Sequence, residues 1–498
     1  MFNNDTEKTN EEKVGKGRYT SLSNDPTGSE SDDDTTSWEL EDLEDRLEKA
    51  DLPQETLLEG SLTARPTFTQ KEFVTNVVGI FLVTLVGEAS RGLVIPSLAG
   101  YVDRVTKDDH TVPFLFWRLN DVAFVGVIVG AFSLGRLISS LVLGWLSTKR
   151  SVKDVMLLSL FLAFVGNLLY AFAEITSVWV LLLSRTIIGF ATGVLSVSRA
   201  HIAYLVSSEE LVKYMAWLAA CQFAGFALTP GLGSLLTLVD FSIGPVPFDR
   251  YTSPGWVLVL SNLLVFFWWV FMMKSIPPTK EESEKQPIGT VTKRDTEYWF
   301  TFVGITLFIL FNFVGRGVIA LLETEGTPLY LRSIGASTEN VSKAGMMFFY
   351  LGLGGMAVYF VIDFARKKIP NYLLLILSFI VVAVGSLLFL DFDMDGSIRF
   401  SRFLAGAILI WSLGSPISQV LIISTFAKML GRKPQGTQMG YMTSAGSIGR
   451  ILFPLLAVST RNFSFGFAAA SSFVCGAFLL GYQLMLCRWR GTNPPGKA

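Results

Sequence analysis

The chain has 498 residues, 50% of them hydrophobic, 13% aromatic and 17% charged, with a formal net charge of -1. Soluble domains carry about 25% charged residues, so something other than water solvates much of this chain, and its charge balance gives nucleic acid no electrostatic handle. Three cysteines (Cys221, Cys475, Cys487) and two distant histidines (His110, His201) exclude a disulfide framework and a zinc cluster, so no metal or cofactor is expected.

Residues 1–71 are polar and acidic, with runs such as Asp32-Asp33-Asp34. They cannot bury a core and read as a disordered tail. Within it, Tyr19-Thr-Ser-Leu22 fits a Tyr-x-x-bulky signal for adaptor proteins. The first apolar stretch begins near Phe73, so no cleavable signal peptide is expected ahead of it.

A bilayer core of about 30 Å needs roughly 20 apolar residues per helix. Such stretches recur at about 72–98, 121–147, 154–174, 177–205, 212–238 and 255–274, then at about 298–323, 344–364, 372–391, 400–427, 438–459 and 465–487. The expectation is an all-α membrane protein: a six-helix bundle over 72–274, a linker over 275–297, a second bundle over 298–488 and a short tail over 489–498. With the amino terminus in the cytosol, the loops holding Lys149, Arg150, Lys153, Lys213, Lys274, Arg366, Lys367, Lys368, Arg432 and Lys433 face the cytosol. That bias toward lysine and arginine agrees with both termini cytosolic. The sequons at Asn340 and Asn462 then fall on the opposite side. Gly225 and Pro230 in the fifth span and Gly449 and Pro454 in the eleventh share one spacing and one place in each half. This repeat supports two related bundles, and such residues allow the close helix contacts that let bundles rock.

Three motifs now carry a resemblance. Gly144-Trp-Leu-Ser-Thr-Lys149-Arg150 lies between spans two and three, Arg185-x3-Gly189-x3-Gly193 in span four, and Gly225-Phe-Ala-Leu-Thr-Pro230-Gly231 in span five. Together they resemble the motifs of the major facilitator superfamily, although Thr148 replaces the usual acid of the first. Leu430-Gly-Arg-Lys-Pro-Gln-Gly436, Met439-Gly440, Gly446-Ser447, Arg450-Ile-Leu-Phe-Pro454 and Glu323-Thr324 with Thr327-Pro328-Leu329 resemble its lysosomal branch, the domain-containing protein 8 (neuronal ceroid lipofuscinosis) family. Tyr251-Thr-Ser-Pro254-Gly255-Trp256 is also similar to the SPX-bearing vacuolar phosphate transporters, but 71 residues are too few for an SPX domain. Over about 72–488 the resemblance implies a twelve-helix transporter fold, an endolysosomal membrane and chloride as the permeant ion. It implies no enzyme, and no paired nucleophile and base appears.

Charges inside a membrane cost about 2.5–3.5 kcal/mol each and face a cavity or a partner. Arg91, Arg136, Arg185, Arg199, Arg316 and Arg450 stand in the spans against Glu88, Glu323 and Glu325. Guanidinium cannot shed its proton, so the excess calls for a small anionic substrate. At about 1.5 Å rise per residue, Arg450 falls near the midplane, with Arg91, Glu88, Arg185 and Arg316 toward one face and Arg136 and Arg199 toward the cytosol. These positions predict a line of positive charge.

Each residue also has a plainer role. Glu88 and Arg91 could only neutralise each other. Arg185 could tie helices together, Arg136 could snorkel to the cytosolic headgroups and Arg199 could close a helix end. Glu323 could take a proton or sit solvated at the mouth of a helix broken by Gly326 and Pro328. Gly144, Lys149, Arg150, Asp363 and Arg366 read as gate and topology residues. A proton-coupled phosphate or organic-anion carrier and a non-transporting scaffold or receptor stay open as alternatives.

Overall fold

The computed structural model describes residues 69–106, 111–114, 117–236, 239–244, 246–274, 291–335, 341–392, 398–431, 435–456 and 461–492. The tail with its Tyr19 signal, His110, Asn340, Arg432 and Lys433 lie outside them.

Local sequence sets where the helices start. Thr69 and Glu72 form a reciprocal capping box ahead of α1 (Gln70–Gly92), with bonds of 3.1 and 3.3 Å. The first span then breaks at Leu93–Val94 and resumes as α2 (Ile95–Thr106). The second span is α3 (Asp121–Lys149), and the third is α4 (Val152–Phe172), opened by the Ser151 cap and closed by a 3-10 turn over Ala173–Ile175. The fourth divides at Gly193 into α5 (Val178–Thr192) and α6 (Leu195–Leu205), and the fifth into α7 (Leu211–Ala227) and α8 (Thr229–Leu236). The sixth span is α9 (Ser253–Met272). Antiparallel hairpins β1–β2 (Thr111–Phe114, Trp117–Asn120) and β3–β4 (Phe241–Ile243, Val246–Phe248) fill loops.

The second half follows the same plan with α10 (Val291–Ser333), α11 (Val341–Ala365), α12 (Asn371–Leu387), α13 (Phe400–Ala407), a π segment (Ile408–Gly414), α14 (Ser415–Leu430), α15 (Gly436–Leu456) and α16 (Arg461–Thr492). The π segment precedes Pro416, whose missing N–H disturbs the regular ladder. Among the described residues nine helices are long and apolar enough to cross a membrane. The other expected spans are the shorter α7 and α12 and the more polar α15. Side chains such as Phe271, Leu264 and Phe360 are 77%, 63% and 60% exposed, which water would not tolerate on this scale and lipid does.

Packing repeats between the halves: α1 on α7 mirrors α10 on α15, α3 on α5 mirrors α11 on the π segment, and α4 on α9 mirrors α12 on α16. The glycines explain the first of these pairs. A Cβ on Gly225 would meet the carbonyl oxygen of Leu85 in α1 at 2.5 Å, and one on Gly449 would fall on that of Phe313 in α10. Pro454 lies within α15 and Pro230 within α8. The chain is therefore an all-α fold of two related six-helix bundles. It departs from expectation in one consequential place: Gly326 and Pro328 do not end the seventh span, because α10 runs unbroken to Ser333. A proline costs less where flanking helices support its turn.

Candidate functional site

The buried charges converge between the halves. From the first half, α1 supplies Glu88 and Arg91, α3 Arg136, α5 Arg185, α6 Arg199 and α7 Gln222; from the second, α10 supplies Arg316 and Glu323, and α15 Arg450. The expected line of charge is one cluster instead, with Arg185 standing apart on the Ser90 carbonyl and the Phe132 ring, because the other side chains turn toward the same centre from helices at different depths.

Three arginines find carboxylates. Arg136 pairs with Glu88, so it points inward and is 7% exposed, not at the headgroups as its backbone depth predicted. Arg91 lies 3.7 Å from Glu88, but its second nitrogen donates to both oxygens of Glu323 at 3.0 and 2.9 Å. The same guanidinium covers the Phe226 ring at 3.8 Å. Arg450 pairs with Glu323 from the other side. Glu323 is thus neither at a helix end nor at a solvated mouth: it joins α10, α1 and α15.

The other three have no carboxylate partner among the described residues. Arg185 donates to the Ser90 carbonyl oxygen at 2.8 Å and lies 4.9 Å over Phe132, leaving its Nε without a partner. Arg199 donates to Thr443 Oγ1 at 3.1 Å, and both Arg199 and Arg316 donate to Gln222 Oε1 at 3.3 Å. Gln222 in turn donates to Glu88 at 3.0 Å. Within the cluster five guanidiniums against two carboxylates leave three positive charges, and Arg185 adds a further one apart from it. Glu325, half-buried beyond Glu323 on α10, has Arg332 and Arg461 as its neighbouring cations.

A small, partly open space of about 30 Å³ lies against Arg91, Arg316, Arg450, Glu88, Glu323 and Gln222 on its polar side. Phe223, Phe226, Tyr359 and Trp411 form its aromatic wall, and Trp411 Nε1 is a buried donor with no partner. Gln222, Thr443 and Trp411 were not anticipated. A lone amide in the apolar stretch 212–238 was the available signal for Gln222.

The remaining expected residues lie away from this space. At the end of the bundle bearing exposed Lys149 and Arg150, the halves are clamped together. A Cβ on Gly144 would meet the Gly436 carbonyl at 2.5 Å and one on Gly440 that of Ser140 at 2.6 Å. Ser444 bonds the Leu137 carbonyl at 2.9 Å. Asp363 holds Arg366 at 2.6 Å, and Arg366 donates across the halves to the Glu209 carbonyl at 3.1 Å. His201 faces Asn76 at 3.4 Å and stacks on Tyr204, outside the cluster. The Asn462 sequon amide is engaged at 3.0 Å with the Asp391 carbonyl.

The family model described as Major Facilitator Superfamily matches residues 80–454. The major facilitator superfamily domain-containing protein 8 of Xenopus laevis is 24% identical over 80% of this chain and 88% of its own. An SPX domain-containing membrane protein of Arabidopsis thaliana is 24% identical over 71% of this chain, which spans 56% of that relative's length. The crystal structure of the human organic anion transporter MFSD10 (TETRAN) is 20% identical with a TM-score of 0.60, covering 84% of this chain and 99% of that one. A double Trp mutant of XylE is 14% identical with a TM-score of 0.64, covering 84% and 98%.

Proposed function

The chain belongs to the Major Facilitator Superfamily, and we propose that it is a membrane transporter moving small anions through the arginine-lined space between its halves. The observation that carries this reading is the excess of positive charge: Arg316, which lines the space, and Arg199 beside it are held inside the bundle with no ion-pair carboxylate among the described residues. A scaffold has no use for such residues, since an unpaired buried guanidinium only destabilises it. An anion offsets that cost, and a site between two bundles is where alternating access puts cargo.

The aromatic wall favours an organic anion, with a carboxylate or phosphate on the arginines and an apolar body against Phe223, Phe226 and Trp411. Chloride, implied by the resemblance, satisfies the charge but leaves that wall without a partner. Both termini in the cytosol agree with the lysine and arginine bias, and an endolysosomal membrane is what the motif resemblance implies. In that orientation the clamped end faces the cytosol.

The test is purified protein in liposomes offered chloride, phosphate and benzoate while current and internal pH are followed. Saturable uptake with benzoate preferred is expected of a carrier of organic anions. Large unitary chloride currents would make the same space a channel, and silence toward every anion by folded protein would leave a scaffold or receptor.

A further inference from the structure

We propose that Glu323 is a built-in counterion that lets the empty protein change direction, so that it moves anions singly and not only in exchange. This rests on the anion reading above. Arg91 belongs to the first half and Arg450 to the second, and both reach the carboxylate of Glu323. Without it, two guanidiniums would face each other across the boundary that must close and open in each cycle. Their repulsion acts in a poorly solvated space, where it is strongest. A carrier so built could reorient only with an anion bound, which makes exchange obligatory. Glu323 supplies the missing charge itself: Arg91 donates to both of its oxygens, the recognition a cargo carboxylate would receive.

The cargo has somewhere to arrive. Arg316 lines the same space and shares with Arg199 only the neutral oxygen of Gln222. An entering anion is drawn there first and then competes with Glu323 for Arg91 and Arg450. When it leaves, Glu323 returns, and the empty halves close without a bare pair of cations between them.

The test uses liposomes holding wild-type, Glu323→Gln or Glu323→Asp protein, loaded with radiolabelled benzoate. Efflux is followed into impermeant gluconate and into unlabelled benzoate. Wild-type is expected to release label into both. In E323Q, the ratio of efflux into gluconate to efflux into unlabelled benzoate should fall about tenfold, as an under-compensated cation pair at the closing boundary requires. E323D, which keeps the charge, should retain efflux into gluconate. Equal losses of both fluxes in folded E323Q would make Glu323 part of cargo binding and overturn the proposal, as would unchanged gluconate efflux. Should E323Q fail to fold, loss of gluconate efflux in folded E323D would overturn it as well. A wild-type silent in both buffers would instead sink the anion reading, and this inference with it.

Discussion

Arg136 and Arg316 belong to one cluster and carry the same charge, yet their removal should have opposite consequences. Arg136→Gln takes from Glu88, which is 3% exposed, its closest ion-pair partner and leaves Arg91 at 3.7 Å and the Gln222 amide to hold the carboxylate. Fully stranding one member of a buried pair costs about 3–5 kcal/mol, and the remaining partners keep the loss below that, so the thermal unfolding midpoint should fall. Arg316→Gln strands nothing, because its partner is the neutral Gln222. Its midpoint should hold or rise while anion uptake falls about tenfold, the loss of one guanidinium contact to an anion. Scanning fluorimetry beside liposome uptake separates the two outcomes, and a drop in midpoint for R316Q would mean that the residue is structural. These arginines were legible because charge inside an apolar run must face a cavity or a partner. Their partners were not. Arg91 and Glu323 stand 232 positions apart, and counting rise along one helix ignores where a long side chain ends. That is why Arg136 was placed at the headgroups. Gln222 escaped because it carries no charge, although its amide links Glu88 to both Arg199 and Arg316.

Helices in this fold meet through absent side chains, and the repeated Gly-x4-Pro spacing showed where before any packing was known. Gly449→Ala would drive a methyl group into the Phe313 carbonyl and Gly225→Ala one into that of Leu85, whereas a Cβ on Gly126 has nothing within 4 Å. The first two should lower the unfolding midpoint, as overpacking costs about 1–3 kcal/mol. Gly126→Ala should leave it unchanged or raise it, since alanine favours a helix over glycine by about 0.5–1 kcal/mol. Breaks within spans were less visible, because hydropathy averages over the turn at Leu93 and Gly193 that redirects a chain without adding polarity. Loops carry their own chemistry. Asp249 ties Arg104 of α2 to the loop before α9, and Arg104 also holds Glu174 at 2.7 Å. Burial pushes the Asp249 carboxyl up, but the backbone N–H groups of Thr252 and Tyr251 and the Arg104 guanidinium together hold it below the ordinary carboxylate range. A depressed value stabilises the fold above the unfolded pKa of about 3.9 and loses that contribution as pH falls through the folded value. The Asp249 arm of the clasp therefore stays ionised at mildly acidic pH. Asp249→Asn should lower the midpoint between about pH 5 and 7, and the gap to wild-type should narrow as pH falls below the ordinary carboxylate range. A gap independent of pH would show that the carboxylate charge is irrelevant there.

Two bundles with matching internal pairs were predictable from twelve apolar runs and one repeated spacing, since each half must bury the same kind of face. Which end of the molecule is closed was not. A rocking protein encodes at least two arrangements in one sequence, and composition cannot choose between them. Here the Lys149 end is shut, and its closure depends on glycines that let backbones touch between halves: Gly144 against Gly436, and Gly440 against Ser140. Each bundle can keep its own packing when that contact is lost. An added methyl group should therefore shift the balance toward the arrangement closed at the opposite end, with little loss of stability. Spin labels at Lys149→Cys and Lys367→Cys, both exposed and in different halves, would report it in a background lacking Cys221, Cys475 and Cys487. Gly440→Ala should move the distance distribution to longer values. A bias of about 1.4 kcal/mol changes the ratio of the two states tenfold, enough to turn a minor population into a major one. An unchanged distribution with a lowered midpoint would mean that α3 and α15 are one rigid unit, and that access to the arginines is gated by something other than the rocking of the halves.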